Sequence, residues 1–295
     1  MFSYRHAFHA GSHADVLKHF VIVQLIKYMQ GKEAPFVYID THAGAGLYAL
    51  DTGYAAKSAE YKTGIAKLWD RKDLPSSLAD YIDVIKALNP NGKLRYYPGS
   101  PYCAEYLLRI EDRLRLFELH PTEVKILLEN MKKCEQHRAA EGHKARGRRI
   151  MVEASDGFHA LKALLPPQQR RALVVIDPSY EDKQDYQRVK QSLAEAIQRF
   201  ANGMYMVWYP ILQRQGSREL PKKLSQLPIN NWLNVTLSIN QPLPDGFGLH
   251  SSGLFIVNPP WTLEGTLKEV LPYLVQVLGN DSGAKFTIEA NADVR

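Results

Sequence analysis

The strongest constraint on the fold is an alternation of short apolar segments with helix-length amphipathic ones along most of the chain. Strands that alternate with helices are joined by right-handed crossovers, which favours a parallel sheet with helices on both faces. The sequence therefore predicts an α/β protein with a doubly wound sheet. Seven strands are predicted, at 36–40, 114–119, 150–153, 172–177, 204–208, 232–239 and 253–258. Helices are predicted at 14–30, 121–131, 158–165, 185–200 and 263–278.

Two departures from this alternation indicate additions to the basic sheet. The last two predicted strands follow each other without a convincing helix between them, which indicates an antiparallel strand at one edge. Residues 51–91 contain two helical patterns, at 59–69 and 77–88, and no credible strand. We therefore expect an inserted helical subdomain at 51–91, within a main domain formed by 1–50 and 92–295.

Composition excludes several classes of protein. No apolar run approaches the roughly 18 residues that a membrane-spanning helix needs, so no membrane partner is expected. Two cysteines, Cys103 and Cys134, cannot form a disulfide framework, and the first residues lack the basic then apolar order of a secretory signal. The sequence therefore predicts a cytoplasmic protein with reduced thiols.

The excess of positive charge is concentrated in one segment. The chain has 37 Lys and Arg against 31 Asp and Glu, a formal net charge of +6. Residues 132–149, the basic segment, contain seven Lys or Arg and two Glu. Either a solvated loop or a polyanionic partner explains such a run, because phosphate neutralisation releases counterions. Under the second hypothesis, Lys144, Arg146, Arg148 and Arg149 contact phosphates.

Candidate ligand-binding residues stand where predicted strands end, since open α/β sheets bind ligands beyond the carboxyl ends of their strands. The first strand leads into 40–46, Asp-Thr-His-Ala-Gly-Ala-Gly, whose glycines let the backbone approach a ligand closely. This turn lacks both the Gly-x-Gly-x-x-Gly spacing of dinucleotide folds and the Gly-Lys-Ser/Thr of phosphate loops, which disfavours NAD and ATP. Glu118, on the second strand, is suited to ribose hydroxyls, and Asp156, after the third, to the amine of an adenine.

The fourth strand ends in Asp177-Pro178-Ser179-Tyr180. The Asp177 carboxylate and the Pro178 carbonyl both accept hydrogen bonds from an amino group, while the Tyr180 ring is suited to stack on a flat substrate. A competing turn, Asn-Pro-Pro-Trp at 258–261, fits the Asp/Asn/Ser-Pro-Pro-aromatic pattern of amino-methyltransferases more closely, letter for letter. It follows a strand that we expect to be antiparallel, so it should lie at the opposite rim and begin the last helix.

The N-terminal segment is rich in histidine. Four of the ten histidines fall in the first nineteen residues, at 6, 9, 13 and 19. No third ligand at suitable spacing and no His-Glu-x-x-His motif supports a metal there, so no metal is expected. We expect instead that Lys18 and His19, on the helix at 14–30, reach a bound carboxylate.

Together these segments closely resemble the bacterial 23S ribosomal RNA adenine-N6 methyltransferase family known as RlmJ. The resemblance covers nearly the whole chain and is carried by 4–6, 8–11, 13–19, 40–46, 96–101, 118–121, 208–210 and 258–261. It implies a Rossmann-like class I methyltransferase domain, S-adenosyl-L-methionine as methyl donor, and 23S rRNA as partner. The implied acceptor is the N6 amine of an adenine, adenine 2030 in standard rRNA numbering. We also expect a monomer.

The resemblance implies roles for individual residues. The family's donor contacts fall on His19, His42, Ser100, Glu118, Asp156, Gly157 and Asp177, which join Lys18 as the expected cofactor site. Asp177, Pro178 and Tyr180 form the catalytic turn, with Asp177 as proton acceptor, and Tyr4 meets the RNA. The family has a second proline where this chain has Ser179. Two alternative functions stay open. One is an amino-methyltransferase that acts on DNA adenine or protein glutamine, and the other is an RNA-binding protein with impaired catalytic activity.

Overall fold

The computed structural model describes residues 5–143, 145, 147–242 and 248–291. The strands in these ranges are β1 (Val37–Asp40), β2 (Leu47–Ala49), β3 (Tyr96–Pro98), β4 (Arg113–Phe117), β5 (Ile150–Glu153), β6 (Ala172–Ile176), β7 (Met204–Pro210), β8 (Trp232–Ser238), β9 (Ser251–Val257) and β10 (Lys285–Ala290). The α-helices are α1 (His13–Gln30), α2 (Gly53–Ser58), α3 (Ala66–Trp69), α4 (Ser76–Leu88), α5 (Ser100–Leu107), α6 (Pro121–Ala140), α7 (Gly157–Leu164), α8 (Asp185–Arg199), α9 (Gln215–Ser225) and α10 (Leu263–Leu278). No helix in the described part of the chain is long and apolar enough to cross a membrane.

The main sheet has eight described strands in the order β10-β8-β9-β7-β6-β1-β4-β5. The strands from β7 to β5 in this order are parallel, whereas β9 is antiparallel to β7 and β8, and β10 is antiparallel to β8. The predicted doubly wound α/β fold with an antiparallel edge is therefore confirmed. The predicted count of seven strands missed β10, because its side chains are mostly exposed and it contains no apolar run. β2 and β3 pair separately as a small antiparallel sheet.

Both faces of the main sheet are covered by apolar cores, as the alternation of side chains along a strand requires. In β1, Tyr38 packs into the core shared with α1, α4, α5 and α10, while Val37 and Ile39 pack into the core shared with α7, α8 and α9. α1 is buried on nearly every face, because it contacts α4, α5, α10 and β9 at once. Its first turns therefore place polar side chains inside the molecule, beside the sheet.

The segment 51–91 is helical, but the predicted helix at 59–69 is wrong. Ala59 takes a left-handed conformation (φ 52°) that ends α2, and regular helix resumes only at α3. Gly64 lies between them, and a Cβ there would be 2.1 Å from the carbonyl oxygen of Gly11. The close packing of Gly64 against Gly11 is therefore accompanied by a break in the helix between α2 and α3. The division into a main domain and an inserted subdomain stays a prediction.

Candidate active site

A cavity of about 650 Å³ opens at the carboxyl ends of β1, β4, β5 and β6. It lies beside the point where strand order reverses, since β1 has β4 on one side and β6 on the other. The cavity is lined by all eight residues expected to bind the cofactor, which are Lys18, His19, His42, Ser100, Glu118, Asp156, Gly157 and Asp177. The fold therefore brings together side chains that are up to 159 residues apart in the sequence.

Glu118 connects the ends of β1 and β4. Its carboxylate oxygens accept hydrogen bonds from the backbone N–H groups of Gly44, at 2.8 Å, and His120, at 2.6 Å. Burial raises the pKa of this carboxyl, although both N–H donors act in the opposite direction. Gly44 is required in the turn, because its φ is +59° and a Cβ would lie 2.5 Å from the Tyr48 hydroxyl oxygen. Each Glu118 oxygen keeps a further lone pair for a ligand hydroxyl.

Asp40, the last residue of β1, is fully buried beside the cavity and supports the residues that line it. It accepts hydrogen bonds from the Ser100 hydroxyl, at 2.7 Å, and from the backbone N–H of His42, at 3.2 Å. Burial raises the pKa of Asp40 to about 6. Ser100 and His42, two of the predicted cofactor residues, are thereby fixed by one buried carboxyl. The sequence alone indicates no more for Asp40 than a place in the turn at 40–46.

Asp156 and Gly157 begin α7 at the end of β5. Asp156 Oδ1 accepts a hydrogen bond from the N–H of Phe158, at 2.9 Å, and so caps the helix. Its Oδ2 lies 2.5 Å from the guanidinium of Arg188, which stands over the Phe158 ring, 4.7 Å from the centroid. A Cβ on Gly157 would lie 2.0 Å from the carbonyl oxygen of Thr41, so glycine is needed for α7 to approach β1.

Lys18 links the first turns of α1 to the end of β6. Its ammonium lies 2.6 Å from Asp177 Oδ2 and 3.0 Å from Asp15 Oδ1, and its side chain is only 4% exposed. Burial alone would raise the pKa of Asp15, but the ammonium of Lys18 and the contact with His6 hold it well below its usual range. Asp177 is therefore part of a buried network of ion pairs.

The two cavity histidines are held in the neutral form. Burial lowers the pKa of His19 to about 3 and that of His42 to about 4. His19 Nδ1 lies 2.8 Å from the Tyr97 hydroxyl, and His42 Nδ1 lies 2.8 Å from the Thr41 hydroxyl. At neutral pH these rings serve as hydrogen-bonding groups and carry no charge.

A second, smaller cavity of about 160 Å³ adjoins the first. Lys18, Asp177 and Ser179 line both, whereas Tyr180 and Trp208 line only the smaller one. Tyr180 is nearly buried and donates a hydrogen bond from its hydroxyl to the carbonyl of Trp208, at 2.7 Å. The predicted catalytic turn is thus divided between the cavities, with Pro178 on the larger one, Tyr180 on the smaller one and Asp177 at their junction.

The competing turn at 258–261 lies at the other rim of the sheet. Asn258 follows β9, which is antiparallel to β7, and its amide donates to the carbonyls of Ala201, at 2.8 Å, and Gly203, at 2.7 Å, just before β7 begins. Trp261 is 84% exposed there. Both hydrogen bonds of the Asn258 amide hold the segment before β7 in place. Residues 258–261 line neither cavity.

The hypothesis that the basic segment contacts phosphates needs correction at Arg149. Its guanidinium is 2% exposed and is held by the Glu105 carboxylate, at 3.0 Å, and by the carbonyls of Glu105 and Leu108. Arg138, in the same segment, also pairs with Glu105, at 2.5 Å. Lys144 and Arg146, like Tyr4, lie outside the described residues. Two of the cations thus stabilise the fold internally.

Three residues that line the cavities, Asp15, Arg188 and Trp208, were not predicted as site residues from the sequence. Asp15 could have been suspected from its spacing of three residues before Lys18, since such residues are neighbours on a helix. Neither Arg188 nor Trp208 has a local sequence signal for its place at the site, because these places arise only when α8 and β7 pack beside the cavities. Within the described ranges, no group of three or more His, Cys, Asp or Glu side chains is placed to hold a metal ion.

The sheet order and the polar cavity at its carboxyl edge define a Rossmann-like α/β protein with a ligand-binding site at the switch point of the sheet. Comparison with known proteins makes this specific. Residues 33–289 match the family described as ribosomal RNA large subunit methyltransferase D, RlmJ, and the chain belongs to this family. The predicted family membership is confirmed.

Relatives match over nearly their full lengths. Ribosomal RNA large subunit methyltransferase J of Haemophilus influenzae is 43% identical over 290 residues, which cover 98% of each chain. The protein of the same name from Escherichia coli is 46% identical over 274 residues, or 93% of each chain. Among solved structures, protein LPL1258 of Legionella pneumophila superposes with a TM-score of 0.84 at 37% identity, covering 96% of this chain and 98% of that one.

Proposed function

We propose that the protein is an S-adenosyl-L-methionine-dependent methyltransferase that methylates the N6 amine of an adenine in 23S rRNA. The observation that carries the proposal is the position of Asp177, at the junction of a large polar cavity and a small aromatic one. A transfer enzyme needs its two substrates on either side of one such point. Large-subunit rRNA as the acceptor is supported by the names of both relatives. The choice of adenine N6, at position 2030, rests on the family resemblance.

The residues of the larger cavity fit the donor. Its volume of about 650 Å³ falls within the usual range for cofactor sites. Glu118 offers two carboxylate oxygens to ribose hydroxyls, and Asp156 offers one to the exocyclic amine of an adenine. The Lys18 ammonium, which lines the cavity, donates a hydrogen bond to the donor's carboxylate, and the neutral His19, His42 and Ser100 supply further hydrogen bonds. When bound, S-adenosyl-L-methionine supplies a methyl group on a positively charged sulfur.

The residues of the smaller cavity fit the acceptor. Tyr180 and Trp208 provide aromatic walls for a base that has left its stack, as enzymes acting on bases require. The Asp177 carboxylate and the Pro178 carbonyl accept the two hydrogens of the adenine amine. That arrangement directs the amine's lone pair toward the larger cavity.

Positioning supplies much of the rate in this mechanism. The lone pair of an adenine amine is delocalised into the ring, so it attacks poorly unless it is held in line with the methyl group. Asp177 accepts the proton that the amine loses, and Lys18, 2.6 Å away, keeps the carboxylate in place. Tyr4 contacts the RNA. No metal takes part, and the protein acts as a cytoplasmic monomer.

The test is the identity of the methylated product. The protein is incubated with radiolabelled S-adenosyl-L-methionine and with RNA, DNA and protein from a strain that lacks the equivalent enzyme, and labelled RNA is digested to nucleosides. We expect the label in N6-methyladenosine from 23S rRNA. Label found in DNA or in protein glutamine would show that the acceptor is not rRNA adenine. Binding of S-adenosyl-L-methionine without methyl transfer would favour an RNA-binding protein.

A further inference from the structure

Three cations follow one another at α9. Arg218 and Lys222 are four residues apart within the helix and are therefore neighbours on its surface, and Arg214 stands at the N-cap, four residues before Arg218. All three side chains are exposed, and none forms an ion pair with a residue that the structure describes. Glu219, on the same helix, pairs instead with Lys223, at 2.6 Å. We call Arg214, Arg218 and Lys222 the α9 cationic face.

The start of α9 concentrates positive charge without local compensation. Arg214 is the N-cap, no side chain caps the helix, and its first turn has no acidic residue. A helix N-terminus already carries a partial positive charge, so a cation there is unfavourable unless an anion approaches. Arg214 and the helix N-terminus therefore form a local positive potential that attracts an anion.

The topology places this helix next to the acceptor cavity. β7 is parallel to β6, so both end at the rim where the cavities open. Pro210, at the end of β7, and Leu212 line the smaller cavity, and Arg214 follows two residues later, at most about 7.6 Å along the chain. The Ser217 hydroxyl fixes this connection, because it donates to the Pro210 carbonyl and accepts from the Leu212 N–H.

The spacing of the cations suits a phosphate backbone. A rise of about 1.5 Å per helical residue separates successive cations by about 6 Å along the axis, comparable to the distance between neighbouring phosphates of one strand. Lys183, exposed in the connection between β6 and α8, lies at the same rim. From the rim, the α9 cationic face continues away from the mouth of the acceptor cavity.

The exposed cations that the structure describes in the basic segment lie elsewhere. α6 starts at the carboxyl end of β4 and runs toward the opposite rim, so Lys132 is about 17 Å along the helix from Pro121. Arg148 stands two residues before β5, at the amino ends of the parallel strands. Lys132, Lys133 and Arg148 are exposed, and their positions along α6 and before β5 lie away from the rim where the cavities open.

From these observations we infer that the α9 cationic face binds the phosphate backbone of the RNA that flanks the target adenine. The inference rests on the proposed function, since it assigns a docking surface to the same substrate. Arg214, at the start of the helix, contacts the phosphate nearest the extruded base, and Arg218 and Lys222 contact phosphates further along.

The test compares two triple variants that each lose three positive charges. One is Arg214→Gln, Arg218→Gln and Lys222→Gln, and the matched control is Lys132→Gln, Lys133→Gln and Arg148→Gln. Affinity for a 23S rRNA transcript is measured between about 50 and 200 mM salt. Circular dichroism and calorimetric affinity for S-adenosyl-L-methionine establish that both variants are folded.

Each lost contact to single-stranded RNA lowers the log–log salt slope by about 0.7, so the α9 variant should lose about 2 units. If affinities converge near 1 M salt, that slope corresponds to about a hundredfold weaker binding at 0.1 M. The Michaelis constant for RNA should rise while kcat at saturating RNA stays near wild type. The control variant should keep the wild-type slope.

An unchanged slope in the α9 variant, or an equal fall in the control variant, would overturn the inference while leaving the proposed function intact. Failure of the proposed function has a separate signature, because the wild-type protein itself would then leave 23S rRNA unmethylated.

Discussion

The ammonium of Lys18 lies 2.6 Å from the carboxylate of Asp177, and this pair joins the N-terminal helix to the end of the fourth parallel strand of the main sheet. The pair is nearly buried, and Asp15 completes it at 3.0 Å from the same ammonium. Removing one member of a buried ion pair leaves an uncompensated charge, which typically costs about 3 to 5 kcal/mol. The network therefore fixes the position of Asp177 between the two cavities and makes the N-terminal segment part of the site.

Glu118 is predicted to hold the ribose of the donor. Loss of a charged hydrogen-bond acceptor costs about 1.5 to 3 kcal/mol, so Glu118→Ala should weaken donor binding by roughly ten-fold to more than a hundred-fold. Calorimetry with S-adenosyl-L-methionine measures this. Glu153→Ala, at the exposed end of β5, is the matched control and should bind as wild type. Equal affinity in all three proteins would remove Glu118 from the donor site.

Gly157 is predicted to be indispensable for the approach of α7 to β1. A Cβ at this position would lie 2.0 Å from the Thr41 carbonyl oxygen and 2.6 Å from the Thr41 carbonyl carbon, both of which are backbone atoms. Gly157→Ala should therefore lower the free energy of unfolding by more than about 2 kcal/mol and weaken donor binding. Gly265→Ala in α10 has open space around it and should leave the protein as stable or raise its stability by up to about 1 kcal/mol. Chemical denaturation compares the two variants, and similar stabilities would contradict the close contact.

Tyr180 is predicted to act on the acceptor and not on the donor. Tyr180→Ala removes an aromatic wall of the smaller cavity, and stacking of a base on such a ring is worth about 1 to 3 kcal/mol. The Michaelis constant for RNA should rise about five-fold to a hundred-fold, with donor affinity unchanged. Tyr180→Phe keeps the ring, loses the hydrogen bond to Trp208 and should cost about 1 kcal/mol of stability with little effect on turnover. Trp261→Ala, at the opposite rim, serves as the aromatic control, and an equal rise there would refute the assignment.

Asp40 is predicted to make stability depend on pH in a defined direction. Burial raises its pKa to about 6 from the usual 3.8 of an aspartate, so the folded state favours the neutral carboxyl. Its contribution to stability is fully present below about pH 3.8 and is lost as pH rises through 6. The unfolding free energy of the wild type relative to Asp40→Asn should therefore fall by up to about 3 kcal/mol between pH 4 and 7. A difference that is constant over this range would show that Asp40 is not shifted.

The sequence was informative about the sheet because its strands are buried and apolar. All seven predicted strands occur, and α10 is found at the predicted residues. The central strands β1, β6, β7 and β9 are buried on both faces, which leaves a continuous apolar signal. β10 and α9 were missed for the opposite reason. β10 is an exposed edge strand, and α9 is strongly charged with Pro221 inside it, so neither displays a clear apolar pattern. The predicted end of α6 at residue 131 was nine residues too early, because its last turns are mostly polar.

The residues of the candidate site could be predicted where a polar side chain follows the end of a parallel strand. Glu118, Asp156 and Asp177 stand at or just beyond the ends of β4, β5 and β6, and parallel strands bring their carboxyl ends to one edge. Residues whose role depends on packing between distant elements could not be predicted from the sequence. Trp208 lies inside β7, where the sequence pattern predicts a core residue. Arg188 reaches Asp156 only because α8 packs against α7.

The central claim is that methyl transfer takes place at Asp177 and not at the more typical turn beginning at Asn258. Single-turnover methylation of 23S rRNA by folded Asp177→Asn and Asn258→Ala variants tests it most directly. Loss of a positioned acid or base usually costs about 10² to 10⁴ in rate, so Asp177→Asn should be slowed by at least a hundred-fold. Asn258→Ala should lose some stability, because its amide holds the carbonyls of Ala201 and Gly203, but should turn over near the wild-type rate. Full activity in Asp177→Asn together with an inactive Asn258→Ala would contradict the account.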